Sequence, residues 1–161
     1  MRHLGKLVAL TAVALAFAGT TAAQADPGVN ANLVDGSISV SDISCNWTNG
    51  STNANPPSPL TIENSTVNPP GGNMSCTNAT ATLDNDPNVT FDDANGKATV
   101  DKVVVTGNRI GIACTYTATN VMLTRDGTTR HYTGGFTASR TAGSIFFCPS
   151  SHSGTADITF H

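Results

Sequence analysis

The feature of this sequence that most constrains its fold is a set of four cysteines, Cys45, Cys76, Cys114 and Cys148. An even number of cysteines in a short exported chain most often forms disulfides. Three pairings are possible, and we favour neighbours along the chain, Cys45–Cys76 and Cys114–Cys148, because each half is then cross-linked to itself. Each pair would close a loop of about 31 to 34 residues, which stabilises a domain by roughly 3 to 4 kcal/mol in the chain-entropy model. No C-x2-C pair is present, so the spacing does not favour a zinc site.

Residues 1–25 have the composition of a signal peptide. Two basic residues precede an uncharged apolar stretch, Leu7 to Ala18, and Ala23-Gln24-Ala25 matches an A-x-A cleavage site. The apolar stretch is shorter than the ~20 residues that a membrane-spanning helix needs. We therefore predict a Sec-type signal cleaved after Ala25, no membrane span, and a single secreted, extracellular domain of residues 26–161.

The remaining composition favours a β-rich protein that does not bind nucleic acid. Loss of Arg2 and Lys6 with the signal peptide would move the formal charge from −3 to −5, whereas nucleic-acid binding needs clustered Lys and Arg. Thr, Val and Ile favour strands, and the many Asn and Gly residues favour turns. We expect almost no helix.

Alternating apolar residues predict several strands. Between Ser37 and Trp47 the apolar positions change phase at Ser41-Asp42, which predicts a β-bulge or a strand break there. The longest alternation, Ile110 to Ala118, predicts a central strand that carries Cys114 on its inner face. A shorter alternation, Ala156 to Phe160, predicts a half-buried terminal strand.

Three turn signals between residues 91 and 132 predict a meander of hairpins. Because Val100 and Val103 differ in parity, we also expect a bulge near Asp101-Lys102 that turns both side chains inward. The residues expected to face each other are Phe91 and Val100 around Asn95-Gly96, Val105 and Ile110 with Val103 and Ile112 around Gly107-Asn108, and Leu123 and Arg130 with Val121 and Tyr132 around Asp126-Gly127.

These patterns predict an all-β fold of about eight to ten short antiparallel strands. We expect a disulfide-stapled two-layer β-sandwich, with a closed barrel as the alternative. Trp47 follows Cys45 by two residues, which is too close for the Cys, Trp, Cys spacing of immunoglobulin domains. The sandwich is therefore immunoglobulin-like by analogy of architecture only.

The histidines are the candidate catalytic residues. A hydrolase needs a nucleophile beside a base, and a third group that orients the base. His131 lies on a predicted hairpin strand and His152 in the loop from Pro149 to Gly154, but no G-x-S-x-G elbow is present. The sequence favours exposed polar histidines over a small hydrolase, nominates no catalytic residue, and implies no cofactor.

The densest acidic cluster is a candidate calcium site. Asp84, Asp86, Asp92 and Asp93 supply the hard oxygen ligands that calcium prefers. The turn glycine and the bidentate glutamate of an EF-hand loop are both missing. We therefore expect a solvated turn, with calcium binding as the weaker alternative.

Two surfaces are candidates for contact with a partner. The segment from Thr48 to Asn73 holds five prolines and is predicted to be mostly loop. Trp47 and Tyr132 could stack on sugar rings, although a large aromatic residue beside a cysteine more often covers a disulfide. The basic side chains of the third hairpin could meet an acidic partner or act only as solubilising charges on a strand edge. This basic surface consists of Arg125, Arg130, His131, Tyr132 and Arg140.

The alanine-rich signal, the loop Asn68-Pro69-Pro70-Gly71-Gly72, the two cysteine pairs and the ending Ala-Asp-Ile-Thr-Phe-His resemble small secreted β-rich proteins of actinobacteria. The resemblance covers most of the mature chain in composition and layout. Because no function is attached to those proteins, it assigns no residue a role.

We expect a secreted, non-enzymatic protein that binds an extracellular protein or a cell-wall component, or that has a structural role at the cell surface. The first alternative is an inhibitor of an extracellular hydrolase, which would present a disulfide-held loop with little ordering entropy to lose. The second alternative is a small secreted hydrolase.

Overall fold

The computed structural model describes residues 32–161, and the predicted signal peptide lies outside this range. Ten strands and one α-helix of four residues form the described chain, so the prediction of almost no helix is confirmed. No helix of residues 32–161 is long and apolar enough to cross a membrane. The elements are β1 (Leu33–Val40), β2 (Ile43–Ser51), β3 (Leu60–Thr61), α1 (Asn64–Val67), β4 (Ser75–Cys76), β5 (Thr80–Leu83), β6 (Asn88–Asp92), β7 (Lys97–Arg109), β8 (Ile112–Arg125), β9 (His131–Ala142) and β10 (Ser151–Phe160).

All ten strands belong to one antiparallel sheet. The strand order is β3-β6-β7-β8-β9-β10-β1-β2-β4, and β5 pairs with the end of β7 that β6 leaves free. The predicted all-β fold with eight to ten antiparallel strands is confirmed. The two-layer sandwich is not confirmed, because the strands form one continuous curled sheet instead of two separate ones.

The two edges of the curled sheet are linked at two places. Thr52, just after β2, forms an isolated bridge with Ile62, just after β3. Elsewhere β4 pairs with β2, and a short connection leads from β4 into β5, which pairs with β7. The backbone N–H of Thr77 in this connection donates to the carbonyl of Ser44 at 2.9 Å. The sheet therefore encloses its apolar face.

Both favoured disulfides are present. Cys45–Cys76 joins β2 to β4, and Cys114–Cys148 joins β8 to the loop between β9 and β10. They close loops of 31 and 34 residues. Residues 32–161 contain no free cysteine, so no thiol in this range is available as a nucleophile.

The strands predicted from apolar alternation are present, but β8 begins at Ile112 instead of Ile110, and β10 begins at Ser151, inside the predicted loop from Pro149 to Gly154. Ser41-Asp42 forms the turn between β1 and β2, which is the expected strand break. β8 lies between β7 and β9 in the middle of the sheet, and its Tyr116 lines the enclosed side. On β10, Ala156, Ile158 and Phe160 are buried, as the half-buried terminal strand requires.

The predicted register of the first meander hairpin is wrong. Phe91 pairs with Ala98 and not with Val100. The carboxylate of Asp92 accepts a hydrogen bond from the backbone N–H of Asn95 at 3.3 Å, and residues 93–95 form a 3₁₀ turn. The loop therefore has four residues instead of the two that Asn-Gly predicts.

The predicted position of the second hairpin is also wrong. The chain turns at Ile110-Gly111 and not at Gly107-Asn108, and the turn residues have φ values of 53° and 78°. Two left-handed residues in succession are typical of a type I′ turn. The side chain of Asn108 accepts a hydrogen bond from the N–H of Gly111 at 3.1 Å, so it supports the later turn. The observed partners of Val103 and Val105 are Ala118 and Tyr116.

The third hairpin has a longer loop than Asp126-Gly127 predicts. Arg125 pairs with Tyr132, so the expected pairs Leu123–Arg130 and Val121–Tyr132 do not form. The backbone N–H of Asp126 donates to the carbonyl of His131 at 2.9 Å, and that of Thr129 to the carbonyl of Asp126 at 3.1 Å. These bonds close a loop over residues 127–130.

The expected inward orientation of both Val100 and Val103 is confirmed, since both line the enclosed side. The change of phase at Asp101-Lys102 is matched on β8 by a change at Thr119-Asn120, where Asn120 has a φ of 51°. Because both strands change phase together, the pairing of β7 with β8 keeps one register. Neither strand has an extra residue in this pairing, so the predicted β-bulge does not form between them.

The core fills one half of the curled sheet, which we call the closed half. Val34, Val89 and Leu123 are fully buried there. The ring centroid of Tyr132 lies 5.6 Å from that of Phe91 and 5.9 Å from that of Phe160, and tilted aromatic contacts of this kind add to the energy of burial. This aromatic cluster anchors β6, β9 and β10 to one another.

The segment from Thr48 to Asn73 covers the closed half. It is largely loop, as predicted, but Leu60, Ile62 and Val67 are buried in the core. The side-chain amide of Asn68 donates to the carbonyl of Leu83 at 2.8 Å and accepts from its N–H at 2.8 Å. The segment is therefore a fixed part of the fold.

Gly36 on β1 leaves room for the ring of Trp47. A Cβ at Gly36 would overlap that ring, whereas a Cβ at Gly135 on β9 would meet nothing closer than the carbonyl oxygen of Gly154 at 3.8 Å. We expect Gly36→Ala to lower the free energy of unfolding by roughly 1 to 3 kcal/mol, the usual cost of overpacking. The control Gly135→Ala should change it by less than ~0.5 kcal/mol. Urea unfolding measures both, and equal midpoints for the two variants would contradict this packing.

Candidate functional site

The long strands are tightly packed at one end and only partly buried at the other. On β7, Val100 is 3% exposed, whereas Val105 is half-buried. On β8, Leu123 is fully buried, whereas Tyr116 is half-buried. The half-buried ends lie toward the β1–β2 and β7–β8 turns. We call this part of the sheet the open half.

A cavity of about 570 Å³ extends from the open half to buried residues of the closed half, among them Val100, Leu123 and Ile158. This volume lies within the roughly 300 to 1,000 Å³ of small-molecule sites in proteins. The wall is predominantly apolar and is built from strands on all sides of the curled sheet. Its half-buried residues include Ile38, Val40, Ile43, Val103, Val105, Ile112, Tyr116, Phe136 and His152.

The mouth of the cavity lies between two hairpin turns. Asp42 of the β1–β2 turn and Arg109 beside the β7–β8 turn form an ion pair, with 3.0 Å between Oδ2 and Nη2. Ile110 and Phe147 also border the cavity and are largely exposed to solvent. An exposed ion pair stabilises a fold by only ~0 to 1 kcal/mol, so this pair mainly sets the position of the two turns.

Tyr116 and His152 are polar residues in the otherwise apolar wall. The hydroxyl of Tyr116 donates to the carbonyl of Pro149 at 3.2 Å, and its ring lies edge-on to that of His152, with 4.9 Å between centroids. Burial raises the pKa of Tyr116 above its ordinary value of 10.0, and the nearby charge of Arg140 offsets part of the rise. The wall therefore presents a neutral phenol at physiological pH.

The structure distributes the predicted basic surface among separate contacts. Arg125 forms an ion pair with Asp93. His131 lies between two carboxylates, with Nε2 2.9 Å from Asp157 and Nδ1 3.9 Å from Asp126. These contacts hold the third hairpin to its neighbours.

The other members of that surface do not lie together either. Arg140 donates to carbonyl groups of the β9–β10 loop, and Arg130 is exposed. Tyr132 is 2% exposed and Trp47 6% exposed, so both rings face the interior. Neither ring is available to stack on a sugar at the surface.

The predicted calcium ligands each bind groups of the protein itself. Asp84 accepts a hydrogen bond from the hydroxyl of Thr106 at 2.6 Å, and Asp86 accepts one from a backbone N–H of α1 at 2.8 Å. Asp92 caps the 3₁₀ turn, and Asp93 pairs with an arginine of β8. Within residues 32–161, no three His, Cys, Asp or Glu side chains lie close enough together to hold a metal ion.

The histidines form no arrangement typical of a hydrolase within residues 32–161. Both ring nitrogens of His131 face carboxylates, and His152 packs against Tyr116. Neither imidazole is hydrogen-bonded to a serine or threonine hydroxyl there. The pairing of a nucleophile with a base that covalent hydrolysis requires is therefore not formed by these residues.

No protein-family model, curated protein or solved structure matches this chain significantly. Function is therefore inferred from the cavity and its mouth.

Apolar alternation predicted that Val103, Val105 and Tyr116 face inward, but it did not predict the cavity, and His152 lies on β10 instead of in the predicted loop. The alternation of apolar and polar residues along a strand is the same whether the interior that the strand faces is filled or contains a cavity. The missed signal is residue size, since Ala118, Ala138 and Ala156 line the cavity from three adjacent strands. Small residues at facing positions leave volume that larger neighbours do not fill.

The pKa of Tyr116 can be tested directly. Because its folded-state pKa is above 10.0, the unfolded chain loses the phenol proton first as the pH rises. The stability that depends on Tyr116 is therefore fully present below pH 10.0 and is lost as the pH rises through the folded-state pKa. We expect Tyr116→Phe to flatten this alkaline loss in urea unfolding between neutral and alkaline pH. Superimposable pH profiles for the two proteins would show that Tyr116 is not buried as described.

Proposed function

We propose that the protein acts outside the cell as a non-enzymatic binding protein that holds a small apolar molecule in its open half. The cavity of about 570 Å³ is the observation that carries this proposal. An extracellular site of action is supported by the two disulfides, which are typical of proteins from oxidising compartments.

The chemistry of the wall favours one class of ligand. Aliphatic side chains form most of the surface, and Tyr116 and His152 offer a hydroxyl and an imidazole. The ion pair Asp42–Arg109 lies at the mouth, where both side chains are about half exposed. Because an unpaired charge buried in such a wall is costly, we expect a ligand with an apolar body and its polar groups near the mouth.

The construction of the fold supports binding without a large rearrangement. The closed half holds the aromatic cluster and the covering segment, which stabilise the fold with or without a ligand, and Ile62 and Val67 of that segment also line the cavity. Cys45 and Cys114 both lie in the cavity wall, and their disulfides tie it to β4 and to the β9–β10 loop. A wall held in this way loses little conformational entropy when a ligand enters.

An uncharged fluorescent probe tests the proposal. N-phenyl-1-naphthylamine gains fluorescence in apolar surroundings, and we expect it to bind the wild-type protein at one saturable site. Val105→Phe places a larger side chain into the cavity. We expect it to weaken probe binding by roughly 5- to 150-fold, since overpacking costs ~1 to 3 kcal/mol and each 1.4 kcal/mol is a factor of ten.

The neighbouring residue provides a matched control. Val104 follows the alternation of β7 to the opposite face of the sheet and does not line the cavity. Val104→Phe should therefore leave probe affinity unchanged. Absence of saturable probe binding by the wild type, or equal losses in the two variants, would contradict a ligand site in the open half.

A further inference from the structure

Four large apolar side chains protrude from the open half. Ile110 is 93% exposed, Phe146 86%, Ile145 71% and Phe147 68%. Ile110 lies in the β7–β8 turn, and the other three lie in the loop between β9 and β10. We call these four residues the apolar tip. Soluble proteins seldom group exposed apolar residues of this size, and such groups mark contact sites.

The two loops of the apolar tip adjoin the same opening. Ile110 and Phe147 both line the cavity, and Cys114–Cys148 ties the β9–β10 loop to the start of β8. Within that loop the N–H groups of Phe147 and Cys148 donate to the carbonyl of Ser144 at 3.2 Å and 2.8 Å. A hydrogen-bonded, cross-linked loop therefore holds the aromatic side chains toward solvent.

We propose that the apolar tip docks the protein on the surface of a lipid bilayer, with the mouth of the cavity facing the membrane. The four side chains present on the order of 600 Å², which is below the ~800 Å² per partner of a standard protein interface. They also project from two separate loops instead of forming a flat patch. This shape suits insertion to a depth of ~5 to 10 Å among lipid headgroups.

Two arginines flank the apolar tip. Arg109 directly precedes Ile110, and Arg140 donates to the carbonyl groups of Ser144 and Cys148. Arg140 forms no ion pair among residues 32–161. Long cationic side chains beside an inserted apolar group reach the phosphates of lipid headgroups. Asp42 offsets the charge of Arg109 at the mouth, so Arg140 supplies the net positive charge beside the tip, which is complementary to an anionic phospholipid surface although the chain as a whole is acidic.

Docking does not require an occupied cavity, so it goes beyond the proposed function. In this proposal the protein acts on a membrane surface, and an apolar molecule enters the open half from the side of the membrane. The two proposals share Ile110 and Phe147, but Ile145 and Phe146 do not line the cavity, so these two can be changed without altering its wall.

Tryptophan substitution at the tip tests docking. The chain from Asp26 onward contains every strand of the sheet, and its single tryptophan, Trp47, is buried. Phe146→Trp adds a tryptophan at the tip, and Met122→Trp adds one at a matched position on β8, where the methionine is 64% exposed. With vesicles of phosphatidylcholine and phosphatidylglycerol, we expect the emission of F146W to shift to shorter wavelength and to be quenched by brominated lipid. The emission of M122W should not change.

A double substitution separates docking from ligand binding. Ile145→Ser with Phe146→Ser should lower the partition of the protein onto these vesicles by about tenfold or more, and should leave the binding of N-phenyl-1-naphthylamine in the absence of lipid unchanged. Val105→Phe should weaken the binding of N-phenyl-1-naphthylamine and leave the partition onto vesicles unchanged. Loss of vesicle binding and loss of probe binding are therefore distinguishable failures.

Three outcomes would overturn docking. The first is an F146W emission that vesicles do not change. The second is an equal shift in F146W and M122W, which would mean that lipid contacts another surface. The third is a dimer in sedimentation that the I145S/F146S variant loses, which would assign the apolar tip to a contact between two copies of the chain.

Discussion

The structure depends on the connection that carries the chain from one edge of its sheet to the other. Cys45–Cys76 fixes β4 on β2, and a few residues later β5 pairs with β7. A sheet with one apolar face and two free edges would expose that face to water and its edges to other chains. The connection, together with the Thr52–Ile62 bridge, brings the edges together.

Closure encloses the apolar face but does not fill the interior evenly. Large side chains meet in the closed half, where Tyr132 and Phe160 are 2% and 3% exposed. Small ones meet in the open half, so atoms of its wall lack contact partners and lose dispersion energy. A ligand of matching shape would restore those contacts. The exposed residues of the apolar tip lie beside the same opening, so the least filled region of the protein is also the one that presents apolar groups to its surroundings.

Sequence patterns predicted the features that depend on local periodicity or on counting. Alternation placed the β1–β2 turn correctly and located β8 and β10 with errors at their first residues. The even cysteine count predicted disulfides, and the preference for neighbours along the chain gave the observed pairing. The predicted registers of the hairpins were wrong where a side chain changes the length of a turn, as Asp92 does. They were also wrong where Ile110, which carries no turn signal, adopts a left-handed φ. The cavity was not predicted for a different reason. Its volume depends on which small residues face each other across the sheet, and those pairings are set by the same registers.

The separation of the two halves along the same strands has an evolutionary consequence. Residues such as Val105 and Phe136 line the cavity, whereas the aromatic cluster that anchors the fold lies at the other end of the sheet. Mutational effects at sites that share no contacts are close to additive. Substitutions in the wall of the cavity therefore add their own effects on stability and leave the aromatic cluster intact, so a lineage of such chains can vary this wall on an unchanged framework.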